Sequence, residues 1–245
     1  MQVPLVSLLR QLLLSPSTFF DDRPPATTLP IAGIIVVVFS ISLAGSAFVA
    51  GSIAADTVDA TVTMDNPDRP PELICEQHGD DPDSTLAGSC DEPETIQRDA
   101  GTLVYQAATD LAGYLFVAPF VLWFLGAIVL YGVGWLADGT PSFVGTLALA
   151  GWAAVPEFFR LGVGLVALEY ALRDVTITEF ERAPTLVETA LASIEPVLTV
   201  ATVLTVGWQW YLLTGGLQRE ADISRAGAGV AVGVPLVLWL LLALL

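Results

Sequence analysis

Residues 29–55 read LPIAGIIVVVFSISLAGSAFVAGSIAA, an apolar run without a single charged side chain. A hydrocarbon core of about 30 Å needs roughly 20 such residues in a helix, so this stretch suffices to span a bilayer. Four further runs follow, at Leu111–Leu136, Phe143–Leu172, Ile194–Leu213 and Ala226–Leu245. Backbone groups in lipid must be satisfied within their own segment, and these long runs fit helices rather than the alternating ten-residue strands of a barrel. The expected fold is all-α: a polytopic membrane bundle of five transmembrane helices.

Working outward, the second to fifth runs each hold one internal proline, Pro119, Pro156, Pro196 and Pro235. Each removes a helical hydrogen bond and predicts a kink that neighbouring helices absorb. The third run is the odd one, because it carries Glu157, Arg160 and Glu169. A charge at the bilayer centre costs roughly 2.5 to 3.5 kcal/mol on insertion scales, so Glu157 and Arg160 are expected to face the bundle interior. Their spacing of three places them on one helical face as a candidate ion pair. Gly229 and Gly233 have the small-residue spacing that lets helices approach closely, and are candidates for helix packing.

Composition agrees with a membrane protein. Of 245 residues 54% are hydrophobic and only 14% charged, with nine Lys plus Arg against 26 Asp plus Glu. Mean hydropathy is +0.68, far above a soluble domain's. All nine basic residues are Arg, and the net charge of −17 excludes a nucleic-acid partner, whose phosphates need clustered positive charge. Acidic proteins drained of Lys stay hydrated in concentrated salt, which predicts a halophilic source.

Ahead of the first run, Val3–Leu14 places Ser7, Arg10 and Gln11 on one face and reads as a short amphipathic helix in the membrane interface. Residues 1–28 are thus an N-terminal cytoplasmic interfacial segment, and residues 29–245 the transmembrane domain. Arg10 interrupts a signal-peptide core, and the long segment before the first span favours an uncleaved anchor. Between the first two spans, residues 56–110 form an acidic extramembrane loop with 14 of the 26 acidic residues. It is rich in Asp and Pro and predicted to be mostly irregular. It carries both cysteines, Cys75 and Cys90, a candidate disulfide; two free thiols and an incomplete zinc half-site with His78 are the alternatives.

Arginines outside the spans divide four and four: Arg10, Arg23, Arg219 and Arg225 on one side, Arg69, Arg98, Arg173 and Arg182 on the other. Arg23 lies closest to a span end, and together with the cysteine loop this predicts N-terminus inside and C-terminus outside, in the cell membrane. In the short connections, Thr140 is expected to cap the third helix with Pro141 at its first position. Thr185 and Glu188 have capping-box spacing, which starts a helix near Leu186. Trp208, Trp210 and Tyr211 read as an interfacial belt at the far end of the fourth helix.

No catalytic spacing is present: no His-Glu-x-x-His, no Gly-x-Ser-x-Gly, no phosphate loop, and one histidine in all. No enzyme activity, cofactor or metal is expected. The layout resembles the Yip family, the Ypt/Rab-interacting membrane proteins and their prokaryotic relatives. The resemblance is carried by Leu14-Ser15-Pro16-Ser17-Thr18-Phe19-Phe20 before the spans, and by Asp138-Gly139-Thr140-Pro141-Ser142-Phe143 followed by the stretch Leu147 to Pro156. It implies a non-enzymatic, multi-pass membrane protein with a cytoplasmic N-terminus, whose eukaryotic relatives bind small GTPases. The matched positions look structural, so no functional residue is carried over. The expected role is a membrane scaffold that binds membrane-protein partners or copies of itself in the lipid bilayer. The alternative is a small-solute or ion transporter or channel built on the polar third span.

Overall fold

The computed structural model describes residues 11–12, 15–78, 87–179 and 182–243. The expected interfacial helix Val3–Leu14 and Arg10 therefore lie outside the described residues, apart from a helical Gln11 and Leu12. Helices dominate: α1 (Pro16–Asp22), α2 (Leu29–Ala55), α3 (Glu72–His78), α4 (Ala87–Cys90), α5 (Ala100–Asp110), α6 (Ala112–Leu136), α7 (Phe143–Trp152), α8 (Val155–Leu172), α9 (Ala183–Ala221) and α10 (Arg225–Ala243). A 3-10 turn, Pro25–Thr28, leads into α2, and two strands, β1 (Thr61–Asp65) and β2 (Thr95–Asp99), sit in the acidic loop.

Among the described residues, four segments are long and apolar enough to cross a membrane: Pro25–Ala55, Ala100–Leu136, Phe143–Leu172 and Ala183–Ala221. The fifth expected span coincides with α10, which is apolar but shorter. At 19 residues it is about 28 Å long, close to the hydrocarbon thickness.

α2 is the axis of the bundle. It runs antiparallel to α5 and α6, with Gly33 near Trp123, Gly51 near Ala108 and Gly101 against the Ala55 carbonyl. It also packs along α7 and α8, where Gly151 meets Ala32 and Phe39 stacks edge-on against Phe158 at 5.2 Å. α9 runs antiparallel to α7 and α8, and α10 folds back on α9. Buried positions are largely small, among them Ala32, Ala47, Ala127, Ala148, Ala201 and Ala228. Large apolar side chains such as Ile34, Leu122, Val166, Leu204 and Leu238 face outward. That inversion suits lipid, where close backbone approach replaces the hydrophobic drive between helices.

Only one of the four internal prolines breaks its helix. Pro119, Pro196 and Pro235 lie inside continuous helices. At Pro156 the third span divides into α7 and α8 through a turn at Ala153–Ala154. The fourth helix is also much longer than the expected Ile194–Leu213, at 39 residues. It begins at Ala183 after Arg182, so Thr185 is not its cap; the Thr185 carbonyl instead accepts from Thr189 Oγ1 within the helix.

The described parts of the acidic loop are more ordered than its composition predicts. β1 and β2 pair antiparallel, with Thr61 opposite Asp99 and Asp65 opposite Thr95. Asp99 ends β2 and caps α5, accepting from Thr102 N at 2.7 Å. Residues 100–110, expected to be loop, form a helix that continues toward α6, because Gly51 and Gly101 let it lie against the end of α2. A parallel bridge between Val58 and Ile177 ties this region to the segment after α8.

Candidate functional site

The break at Ala153–Ala154 generates the polar centre of the bundle. Glu157 N donates to the Ala154 carbonyl at 3.1 Å, three residues back, so the Ala153 carbonyl receives no donor from the turn below it. Gln209 of α9 supplies one, with Nε2 at 3.0 Å. The same amide donates to Glu157 Oε1 at 2.9 Å, and Arg160 Nε donates to Glu157 Oε2 at 2.7 Å. Glu157 sits in the first turn of α8, where the positive end of the helix dipole favours a carboxylate. The Arg160 guanidinium lies over the Trp239 ring of α10, 5.5 Å from its centroid.

This cluster lies level with the middle of the uncharged part of α9. Between Glu195 and Arg219, α9 carries no charged residue, a length of about 36 Å at 1.5 Å per residue. Gln209 is near the middle of that stretch, and its bond to Glu157 fixes the level of the pair. Glu157 and Arg160 were expected from sequence to lie together and the structure brings them together; Gln209 and Trp239 were not singled out. An amide near the middle of a long uncharged run was the available signal for Gln209.

The other singled-out residues are structural. Cys75 and Cys90 form a disulfide with Cα atoms 5.4 Å apart, which consumes both thiols and leaves no zinc half-site with His78. Gly229 and Gly233 form a bed for Trp210: its indole N–H donates to the Gly229 carbonyl at 2.9 Å, and a Cβ on Gly233 would lie 3.3 Å from Nε1. Trp210 is therefore a joint between α9 and α10, well inside α9 rather than at its end.

A second polar region forms where α1, the 137–142 hairpin and the end of α9 meet. Phe19 and Phe20 are buried, Phe20 completely, and Phe19 stacks edge-on against Trp152 at 5.3 Å. Gly215 and Gly216 seat this helix: a Cβ on Gly215 would be 3.0 Å from Ser17 N, and one on Gly216 would be 3.1 Å from Phe20 and overlap Leu149. In the hairpin, Asp138 has φ 59, and a Cβ on Gly139 would approach the Ala221 carbonyl to 2.7 Å. The cap of α7 is Ser142, not Thr140: its hydroxyl accepts from Gly145 N at 3.0 Å, which leaves Pro141 ahead of the helix. Glu220 Oε1 accepts from Ser142 N at 3.0 Å and from its hydroxyl at 2.5 Å, locking α9 to the start of α7. Around this lock Asp21, Asp22, Asp138, Arg219, Asp222 and Arg225 are exposed.

Compared with known proteins, residues 10–245 match the family model of the Yip1 domain. No curated protein and no solved structure matches the chain.

Proposed function

The chain belongs to the Yip1 domain family, an integral membrane protein of apolar helices, and from that premise we propose a non-enzymatic scaffold that recognises membrane-protein partners. The observation that carries this reading is the locked end of the bundle. Buried Phe19 and Phe20, the Gly139 contact and the Glu220–Ser142 bonds hold α1, the hairpin and the end of α9 in fixed relation. A rigid base presenting six exposed charges of both signs is suited to recognition of a polar partner surface.

We place this platform on the cytoplasmic side of the cell membrane, with the C-terminus outside. Arg23, Arg219 and Arg225 flank it, whereas the disulfide lies toward the opposite end, as an oxidising exterior favours. The test is co-purification of the tagged full chain from its native membrane, beside an Arg219→Glu/Arg225→Glu variant. A reproducible partner recovered with the wild type and lost with the variant supports the reading. No partner, or the same set with both, contradicts it.

The polar third span supports a second reading, transport of a small solute or ion. The buried hydroxyls of Ser40, Thr205 and Thr214 lack hydrogen-bond partners among the described residues, and Thr205 is one helical turn from Gln209. Solute flux in vesicles that disappears in Glu157→Gln would favour transport over the scaffold.

A further inference from the structure

Arg160 has hydrogen-bond donors to spare at mid-depth. Its Nε is bound to Glu157, but among the described residues no acceptor meets its Nη groups, and its side chain is 38% exposed. Glu157 is only 14% exposed and has a donor on each oxygen. The cluster is neutral as a whole, so what remains unsatisfied is the outer edge of a guanidinium.

α8 and α10 both pack on α9 rather than closely on each other, and the guanidinium lies between them, over Trp239. α10 takes α9 and α6 as its neighbours, and Trp239 reaches across to Arg160. One turn beyond Arg160, on the same face of α8, an added Cβ on Gly164 would meet nothing within 4 Å. Exposed Phe159, Val166 and Leu238 belong to the same two helices.

Hydrocarbon offers no water to complete the hydrogen bonds of a guanidinium, and intramembrane charges persist where an opposite charge meets them. Lipid phosphates lie at the bilayer surface, about 15 Å from mid-depth. A second copy of the chain in the same orientation would bring one neutral Glu157–Arg160 pair against another, with no further carboxylate to offer the free edge. We propose that the notch between α8 and α10 docks a transmembrane helix of a partner protein carrying Asp or Glu at mid-span, whose carboxylate takes the free edge of Arg160. This deepens the scaffold reading and rests on it.

The test uses the full-length protein in phosphatidylcholine vesicles and two labelled single-span Leu/Ala peptides, one with Glu and one with Leu at its centre. Energy transfer should show the Glu peptide binding at least about ten-fold more tightly, the effect of one good charge pair. The preference should vanish in Arg160→Met. It should also vanish in Glu157→Gln/Arg160→Met, which leaves no unpaired charge and keeps the test readable should the single variant misfold. Equal binding of the two peptides overturns the proposal, as does a preference that survives loss of Arg160. Arg160-dependent self-association would assign the notch to a second copy, and loss of the preference on adding phosphatidylglycerol would assign it to a lipid phosphate; either result overturns it. Failure here is distinct from failure of the scaffold reading, which is read from co-purification through the platform charges.

Discussion

Replacing Gly216 by Ala should destabilise the protein, although glycine in a helix interior normally yields about 0.5 to 1 kcal/mol when changed to alanine. The reason is position. A Cβ at Gly216 would overlap Leu149 Cδ2 and lie 3.1 Å from Phe20 Cε2. Both side chains are fully buried, so neither has space to swing away. Overpacking of this kind costs about 1 to 3 kcal/mol, which outweighs the helix-propensity gain and leaves a net loss of about 0.5 to 2 kcal/mol. Leu149→Ala alone should cost about 2 to 5 kcal/mol through the cavity it opens. In that background the added methyl fills vacated space, so Gly216→Ala should change sign and stabilise. The assay is thermal unfolding in detergent of the wild type, both single variants and the double variant, read as a coupling energy. A Gly216→Ala effect of the same sign and size in both backgrounds would refute the close packing of α7 on α9 at Gly216.

Charge reversal at Arg160 alone places two carboxylates together, whereas Glu157→Arg/Arg160→Glu restores a pair; the swap should recover membrane accumulation by about 1 to 2 kcal/mol of coupling, reduced by the 38% exposure of Arg160. Equal accumulation of the swap and the single reversals would show that pairing does not hold this helix. Cys75→Ser/Cys90→Ser opens a loop with a sequence separation of 15, worth about 3 kcal/mol, so amide exchange should rise in β1 and β2 while the bundle's melting midpoint stays unchanged. A lowered midpoint would tie the loop to the bundle core. Gly233→Leu should displace Trp210 and break its bond to Gly229, loosening α10 from α9, and an unchanged midpoint and oligomer distribution in detergent would contradict that role.

The membrane architecture was legible because hydrocarbon imposes a single-segment rule. Leu29–Ala55 coincides with α2, and Leu111–Leu136 with α6 to within one residue. What failed was the polar ends. Helices that extend beyond the bilayer, such as α9 from Ala183, lose their hydropathy signal while their backbone bonding continues, so hydropathy alone placed their ends too far inward. The two expected caps fail in different ways: Thr185 lies inside a helix that already begins at Ala183, whereas Thr140 and Ser142 are both good capping residues and the Glu220 contact from 78 positions away singles out Ser142. The Glu157–Arg160 pair followed from local spacing, while Gln209 and Trp239 joined it through tertiary contacts that no local pattern encodes. The order in the acidic loop depended likewise on a strand pairing between residues 61–65 and 95–99.

The central claim is a membrane bundle, proposed to lie with the disulfide region outside and the charged platform inside, and accessible-thiol labelling tests both halves together. In intact cells, after reduction, a membrane-impermeant maleimide should label Cys75 and Cys90. In a Cys75→Ser/Cys90→Ser background, Thr140→Cys in the exposed hairpin should be labelled only after lysis. Labelling of Cys75 and Cys90 only after lysis, or of Thr140→Cys in intact cells, would contradict the account.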